Sequence, residues 1–340
     1  KFIKASVLSN LIKKEKNIQE TILHTGQHYD FNMSEIFFKQ LKIPKPKYHL
    51  NTKSIYHGEM VAKMMIRIEE ILLNKKFDLL LLYGDTNSTL AGALVGSKLN
   101  IPIIHVEAGI RSFNKKMPEE INRVLTDHCS SLLFVPSKVA KKNLINEGVS
   151  SNLIKNVGDV MLDLFKKNLY QKVKKTNDIL ATIHRPENTN SKKKLSNIVK
   201  NFNNLSNNYK ITFPIHPRTL KALKNFKLLS GLNKNIKIIK PLSYLDSINI
   251  LMRSKLLITD SGGMQKEALY AKVQTITVRD QTEWPETIEA NWNRLVKPEL
   301  DNIYKTADKC FLKKGKNTKP YGIGNTADLI IDHIINQKFF

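Results

Sequence analysis

Arginine is scarce in this chain, and cysteine is scarcer. Of 340 residues, 55 are Lys or Arg but only eight are Arg, and the two cysteines are Cys129 and Cys310. Two distant thiols with no C-x-x-C spacing give neither a disulfide framework nor a cysteine-based zinc site, and they fit a reducing compartment. No apolar run reaches the roughly 18 residues that a membrane-spanning helix needs. The first residues do not read as a secretory signal; residues 1–20 are amphipathic and end in a Lys/Glu mixture. Acidic residues are few as well, 30 against the 55 basic ones, which leaves a formal net charge of +25.

That charge is spread along the chain in short lysine runs such as Lys192-Lys193-Lys194. A nucleic-acid binder would cluster arginine and interleave aromatics, so nucleic acid is not the expected partner, although a positive field also suits a small anionic substrate. With 41% apolar residues the chain can bury real cores, which excludes wholesale disorder. The length suits two domains.

The pattern alternates helix and strand. Amphipathic helices are expected over 2–14, 57–75 and 88–98, and short apolar strands over 21–24, 79–83, 103–106 and 132–135. After a polar, lysine-rich stretch around 158–178 the alternation restarts. Strands are then expected at 179–183, 211–215, 236–239, 255–259 and 273–278, with helices near 194–205 and 244–253 and after Gly263. Continuous apolar strands between amphipathic helices predict parallel sheets covered on both faces. The expected class is therefore α/β, with two Rossmann-like domains. The first spans 1–160 and the second 175–324, and a helix over 325–340 packs back toward the first. A parallel domain normally opens with a strand and a glycine-rich turn. Here the sequence enters a helix directly, and that first strand is expected to be missing.

In such sheets ligands bind beyond the carboxyl ends of strands. The residues there are Gly84-Asp85-Thr86, Glu107-Ala108-Gly109 with Arg111, and Met117-Pro118-Glu119-Glu120 leading to Arg123. In the second half they are His184-Arg185-Pro186, His216-Pro217-Arg218, Asp260-Ser261-Gly262-Gly263 and Arg279-Asp280. Asp85 also reads as a helix cap, and Glu119 or Glu120 as a first-turn acid suited to the helix dipole. Three acidic stations in one domain are less well explained that way. Ser-Gly-Gly opening a helix presents free N–H groups at a positive dipole end, which suits phosphate. Six of the eight arginines fall in these stretches or in Asn293-Arg294-Leu295, where a planar fork matters.

In order and spacing, the motifs GDTNSTLAGAL, HVEAGIRS, MPEEINR, IHRPEN, HPRT, TDSGGMQKEA and RDQTEWPET resemble the non-hydrolysing UDP-N-acetylglucosamine 2-epimerases. The resemblance runs from Lys4 to the Pro320–Gly324 segment. It implies a two-domain glycosyltransferase-B-like fold with UDP-sugar in the cleft between domains. It also implies a cytoplasmic homodimer that serves surface-polysaccharide synthesis, with no metal or nicotinamide cofactor and no membrane partner. Carried over position by position, Asp85, Glu107, Glu119 and His184 match catalytic residues. Lys4 matches a functional lysine, and Ser261, Gly262, Gly263 and Glu267 match the positions that hold phosphate and ribose. Arg123, Arg185 and His216 would line the cleft. Gln27 and His28 fall near the segment where bacterial members bind an allosteric substrate. The family's opening strand and Gly-Thr-Arg-Pro turn would precede Phe2-Ile3-Lys4 and are not in the sequence.

Many relatives have Thr-Glu-Arg-Pro where this chain has Thr282-Glu283-Trp284-Pro285. Trp284, Trp292 and the segment His24–Tyr29 resemble instead relatives acting on UDP-2,3-diacetamido-2,3-dideoxyglucuronic acid. Two readings compete with an epimerase: a glycosyltransferase of the same fold, and a basic nucleic-acid-binding protein.

Overall fold

The computed structural model describes residues 2–27, 43–52, 54–167 and 173–336. They form two compact units. One holds the described residues up to Lys166 together with those from Lys319 onward; the other holds those of 167–318.

The first unit carries a four-stranded parallel sheet in the order β3 (Leu80–Tyr83), β4 (Ile103–Val106), β5 (Leu132–Val135), β6 (Ile154–Asn156). A separate two-stranded parallel pair joins β1 (Leu23–His24) to β2 (Tyr48–His49). Every residue of β4 and β5 is buried, as expected of inner strands covered on both faces, whereas the edge strand β3 is half-buried. The helix His57–Asn74 buries Met60, Met64, Ile68 and Leu72 at successive fourth positions, packed against Ala91 and Val95 of the helix Asn87–Lys98. Elsewhere the helices Phe2–Ile12 and Thr326–Asn336 share a core with the sheet, built from Leu8, Ile12, Val106, Phe134, Ala327 and Ile330.

The second unit is a six-stranded parallel sheet. Its order is β12 (Asn293–Leu295), β11 (Gln274–Thr277), β10 (Leu256–Thr259), β7 (Ile179–Thr182), β8 (Ile211–Pro214), β9 (Ile236–Ile239). The order reverses between β7 and β10, which places the switch point of the sheet at those two strand tips. Its core packs Ile179, Ala181, Leu256, Ile258 and Ile276 against Ile198, Phe202 and Leu205 of the helix Lys192–Ser206.

Elements of the first unit with no counterpart in the pattern read from sequence include β2, the helix Lys138–Asn146, β6 and the helix Val160–Lys167. The last of these buries Val160, Met161, Leu162, Leu164 and Phe165 at the start of a stretch whose lysines mask it.

Candidate active site

In the first unit β3 and β4 lie side by side, with Tyr83 level with Val106. The carboxylates that follow them, Asp85 and Glu107, therefore stand at neighbouring strand tips. Each is held by a cation. Arg123, itself buried, reaches Asp85 Oδ2 through Nε at 3.1 Å and Nη2 at 2.7 Å. Lys4 pairs through its Nζ with Glu107 Oε2. The Asn122 amide donates to the Asp85 carbonyl at 3.0 Å and to Asn87 Oδ1 at 3.1 Å, which ties Asp85 to the start of the next helix. Glu107 is buried in the left-handed region at φ 72°, a conformation that a non-glycine residue adopts only where its surroundings enforce it.

The two adjacent glutamates divide their roles. Glu120 is 3% exposed and accepts from the N–H groups of Ser112 and Phe113, from Ser112 Oγ, and from Arg123 Nη1 at 2.8 Å. Burial pushes its carboxyl up, but these donors outweigh burial and hold it below the usual range. Glu119, in the first turn of the same helix Pro118–Cys129, is exposed, and among the described residues nothing binds it. The sequence offers both as first-turn acids, and only their partners separate a clasped structural carboxylate from an available one.

Gln27 meets the same region: its Oε1 accepts from Ser88 N at 3.1 Å and Ser88 Oγ at 2.8 Å. It therefore sits on the helix that begins just after Asp85. His28 lies outside the described residues.

In the second unit His184 and Asp260 lie just beyond the ends of the switch-point strands β7 and β10. Asp260 is fully buried. It accepts from the backbone N–H of His184 at 3.0 Å, from that of Arg185 at 2.9 Å and from Asn188 Nδ2 at 3.0 Å, and its Oδ1 lies 3.1 Å from His184 Nδ1. Burial would raise the Asp260 carboxyl, yet the His184 ring and these N–H donors hold it below its ordinary value. With Nδ1 committed to Asp260, no hydrogen bond engages Nε2 among the described residues. His216 stands beside it, ring centroids 5.8 Å apart. It caps the helix Pro217–Asn225 by accepting the Arg218 N–H at 3.1 Å. Burial, then the charges of His184 and Arg218, pull the His216 ring below the usual histidine value.

Ser261 occupies the N-cap of the helix Gly262–Tyr270. A Cβ on Gly262 would lie 2.7 Å from Glu283 Oε1, so a side chain there would have to displace that carboxylate, while nothing lies within 4 Å of where a Cβ on Gly263 would stand. Open backbone at a helix N-terminus is the arrangement that receives phosphate. Glu267 is buried one turn on. Arg185 lies 3.7 Å from Glu283, which also binds Arg279 at 2.7 Å. Lys266, buried in the same helix, places its ammonium 3.8 Å over the Trp284 ring.

Sequence reasoning missed Asp260 as the partner of His184, the clasped state of Glu120, and Asn122, His105 and Asp127 around the first-unit carboxylates. The one legible signal was a histidine inside the otherwise apolar run Ile103–Val106. Among the described residues no cluster of three His, Cys, Asp or Glu is arranged to hold a metal ion, and no helix is long and apolar enough to cross a membrane.

Comparison with known proteins places the chain in one family. The family model described as UDP-N-acetylglucosamine 2-epimerase matches residues 10–335. A UDP-N-acetylglucosamine 2-epimerase homolog of Methanococcus maripaludis is 47% identical, the match covering 98% of this chain and 96% of that protein. The UDP-2,3-diacetamido-2,3-dideoxy-D-glucuronate 2-epimerase of Pseudomonas aeruginosa is 45% identical over the same shares. Among solved structures, the UDP-GlcNAc 2-epimerase of Methanocaldococcus jannaschii in complex with UDP-GlcNAc and UDP superposes with a TM-score of 0.91. It is 44% identical, the match covering 99% of this chain and 97% of that one.

Proposed function

This chain belongs to the UDP-N-acetylglucosamine 2-epimerase family and is an isomerase, a UDP-sugar 2-epimerase; from that premise we propose that it interconverts UDP-GlcNAc and UDP-ManNAc by removing UDP and returning it to the other face. The proton at C2 of the sugar is not activated by a neighbouring carbonyl, so its direct removal is too costly. Elimination of UDP across C1–C2 gives a 2-acetamidoglucal, and re-addition of UDP with reprotonation at C2 completes the inversion. That route needs a base near C2, an acid on the opposite face, and donors for the departing diphosphate.

The observation that carries the reading is the pair of carboxylates at adjacent strand tips, Asp85 gripped by Arg123 and Glu107 by Lys4. An ionised carboxylate of this pair can accept the C2 proton as a base, and the carboxylic acid so formed can give a proton back on the return step. Glu119 supplies a third carboxylate on the neighbouring helix. In the second unit, His184 with its Asp260 partner and the open N–H groups after Ser261 supply donors suited to a diphosphate. In this reading Gly262, Gly263 and Glu267 hold phosphate and ribose, and Arg185 and His216 line the approach. The family's usual setting supports a cytoplasmic homodimer that feeds surface-polysaccharide synthesis.

A second substrate, UDP-2,3-diacetamido-2,3-dideoxyglucuronic acid, is favoured by the 45% identity to the Pseudomonas enzyme named for it. The test is to incubate the protein with each UDP-sugar in deuterated water. The expected product is manno-configured with deuterium at C2. Product formed without exchange at C2 would overturn the proposal, and turnover of only the diacetamido sugar would favour the second substrate.

A further inference from the structure

We infer that His105 and Asp127 form a fixed buried bridge that positions Asp85 and Glu107, and that His105 is a positioning residue rather than a proton carrier. The inference rests on the epimerase reading of those two carboxylates. His105 lies in the middle of β4 and is wholly buried. Its Nδ1 stands 2.6 Å from Asp127 Oδ1 and its Nε2 2.7 Å from the carbonyl oxygen of Gly84. A carboxylate and a carbonyl only accept, so both ring nitrogens donate and the ring carries a proton on each. Neither nitrogen keeps a lone pair for a substrate proton.

What the bridge holds is informative. The second oxygen of Asp127 accepts the Gly109 N–H at 3.0 Å and lies 2.7 Å from Arg111 Nη1. One carboxylate thus grips the chain two residues before Glu107 and two residues after it. Between those grips the backbone is left-handed at Glu107, φ 72°, and at Gly109, φ 74°. A Cβ at Gly109 would meet the Ala140 carbonyl oxygen at 2.4 Å, so this turn fits only as glycine and only in this place.

At its other end the His105 ring fixes Gly84, the residue before Asp85, whose own N–H bonds to the Val106 carbonyl at 3.0 Å. Asp127 stands one helical turn after Arg123, which holds the Asp85 carboxylate. The same helix therefore anchors Asp85 through Arg123 and the Glu107 turn through Asp127.

The other charged or titratable groups around the bridge, among the described residues, are Arg111, Glu147 and His128. Arg111 forks onto both Glu147 oxygens at 2.7 Å, and His128 Nε2 lies 3.5 Å from Glu147. Burial pushes the Asp127 carboxyl up, but His105 and Arg111 hold it below its usual value. A buried ionic network with every member matched is rigid. Rigidity here transmits directly to the two carboxylates.

The test compares wild type with His105→Phe, His105→Gln and Asp127→Asn. Kinetics on the UDP-sugar that wild type turns over are paired with melting curves and with 15N spectra of imidazole-labelled protein. In His105→Phe and Asp127→Asn, kcat should fall about tenfold or more, while KM and the affinity for UDP stay within about threefold. His105→Gln, which keeps one N–H donor, should recover part of the loss. In wild type both ring nitrogens of His105 should read as protonated, since both face acceptors. Folded variants with wild-type kcat, a loss confined to KM, or one unprotonated ring nitrogen would each overturn the inference. A wild-type protein that turns over no UDP-sugar would count against the reading of the site instead; the two failures are told apart because the isotope signal needs no activity.

Discussion

Asp260 holds His184 twice, by its backbone N–H at 3.0 Å and by its ring Nδ1 at 3.1 Å. A buried carboxylate that fixes both the main chain and the ring of one histidine sets its rotamer and its tautomer together, and Nε2 makes no hydrogen bond among the described residues, as the proposed acid–base role requires. His184→Ala should then lower kcat by about 10²–10⁴, the usual scale for a positioned acid or base.

Asp260→Asn separates orientation from chemistry. The amide accepts fewer of the converging N–H groups and presents its own N–H to one of them. It should cost about tenfold or more in kcat while the melting temperature falls by a few degrees. Steady-state kinetics beside a thermal melt check this; a loss in melting temperature with unchanged kcat would make Asp260 structural only.

Glu119 and Glu120 should respond oppositely to the same change. Glu119→Gln alters an exposed, uncommitted side chain, so the melting temperature should stay put while kcat drops steeply. Glu120→Gln disturbs a carboxylate that clasps Ser112, Phe113 and Arg123. It should cost about 1–3 kcal/mol of stability, and activity should fall because Arg123 no longer holds Asp85 in place. Melting curves and kinetics on both variants decide the assignment.

Acid stability follows from the depressed carboxyls of Glu120, Asp127 and Asp260. A group whose folded pKa lies below its unfolded value binds fewer protons when folded. Its stabilisation is complete above the unfolded values, about 3.9 for Asp and 4.3 for Glu, and is lost as pH falls through the folded ones. His216, depressed by burial and by neighbouring charge, adds a loss in the same direction that begins as pH falls below the usual histidine value of about 6.5. Glu20 and Asp163, raised by burial, act in the opposite sense, so the lowered groups should show as a loss of unfolding free energy, measured from pH 7 downward, that starts near pH 6.5 and steepens below about 4.5. The steep limb should be shallower in Asp260→Asn.

Much of the fold was legible because its signal is local. The run Ile103–Val106 is apolar throughout since β4 is covered on both faces, and the helix His57–Asn74 shows its buried methionines at fourfold spacing. The helix Val160–Lys167 was not legible, because its apolar turn runs straight into lysines, and β12 has only three residues. At the site, chemical type could be read at each strand tip but partnership could not. Nothing in the sequence ties Asp260 to a histidine 76 residues earlier, or His105 to an aspartate 22 residues later. The first pair exists only once parallel strands bring their tips together, and the second only once the helix Pro118–Cys129 packs beside β4.

The most direct test of the account is to follow the glycosidic oxygen. UDP-sugar labelled with 18O at the atom joining C1 to the β-phosphate is incubated with the protein until epimerisation nears equilibrium, and the label is located by 31P spectroscopy. If the C1–O bond breaks and UDP is freed, the labelled oxygen becomes one of three equivalent oxygens of the terminal phosphate and spreads into non-bridging positions. The account predicts that spread in step with epimerisation. Epimerised sugar whose label stays wholly in the bridge would contradict it.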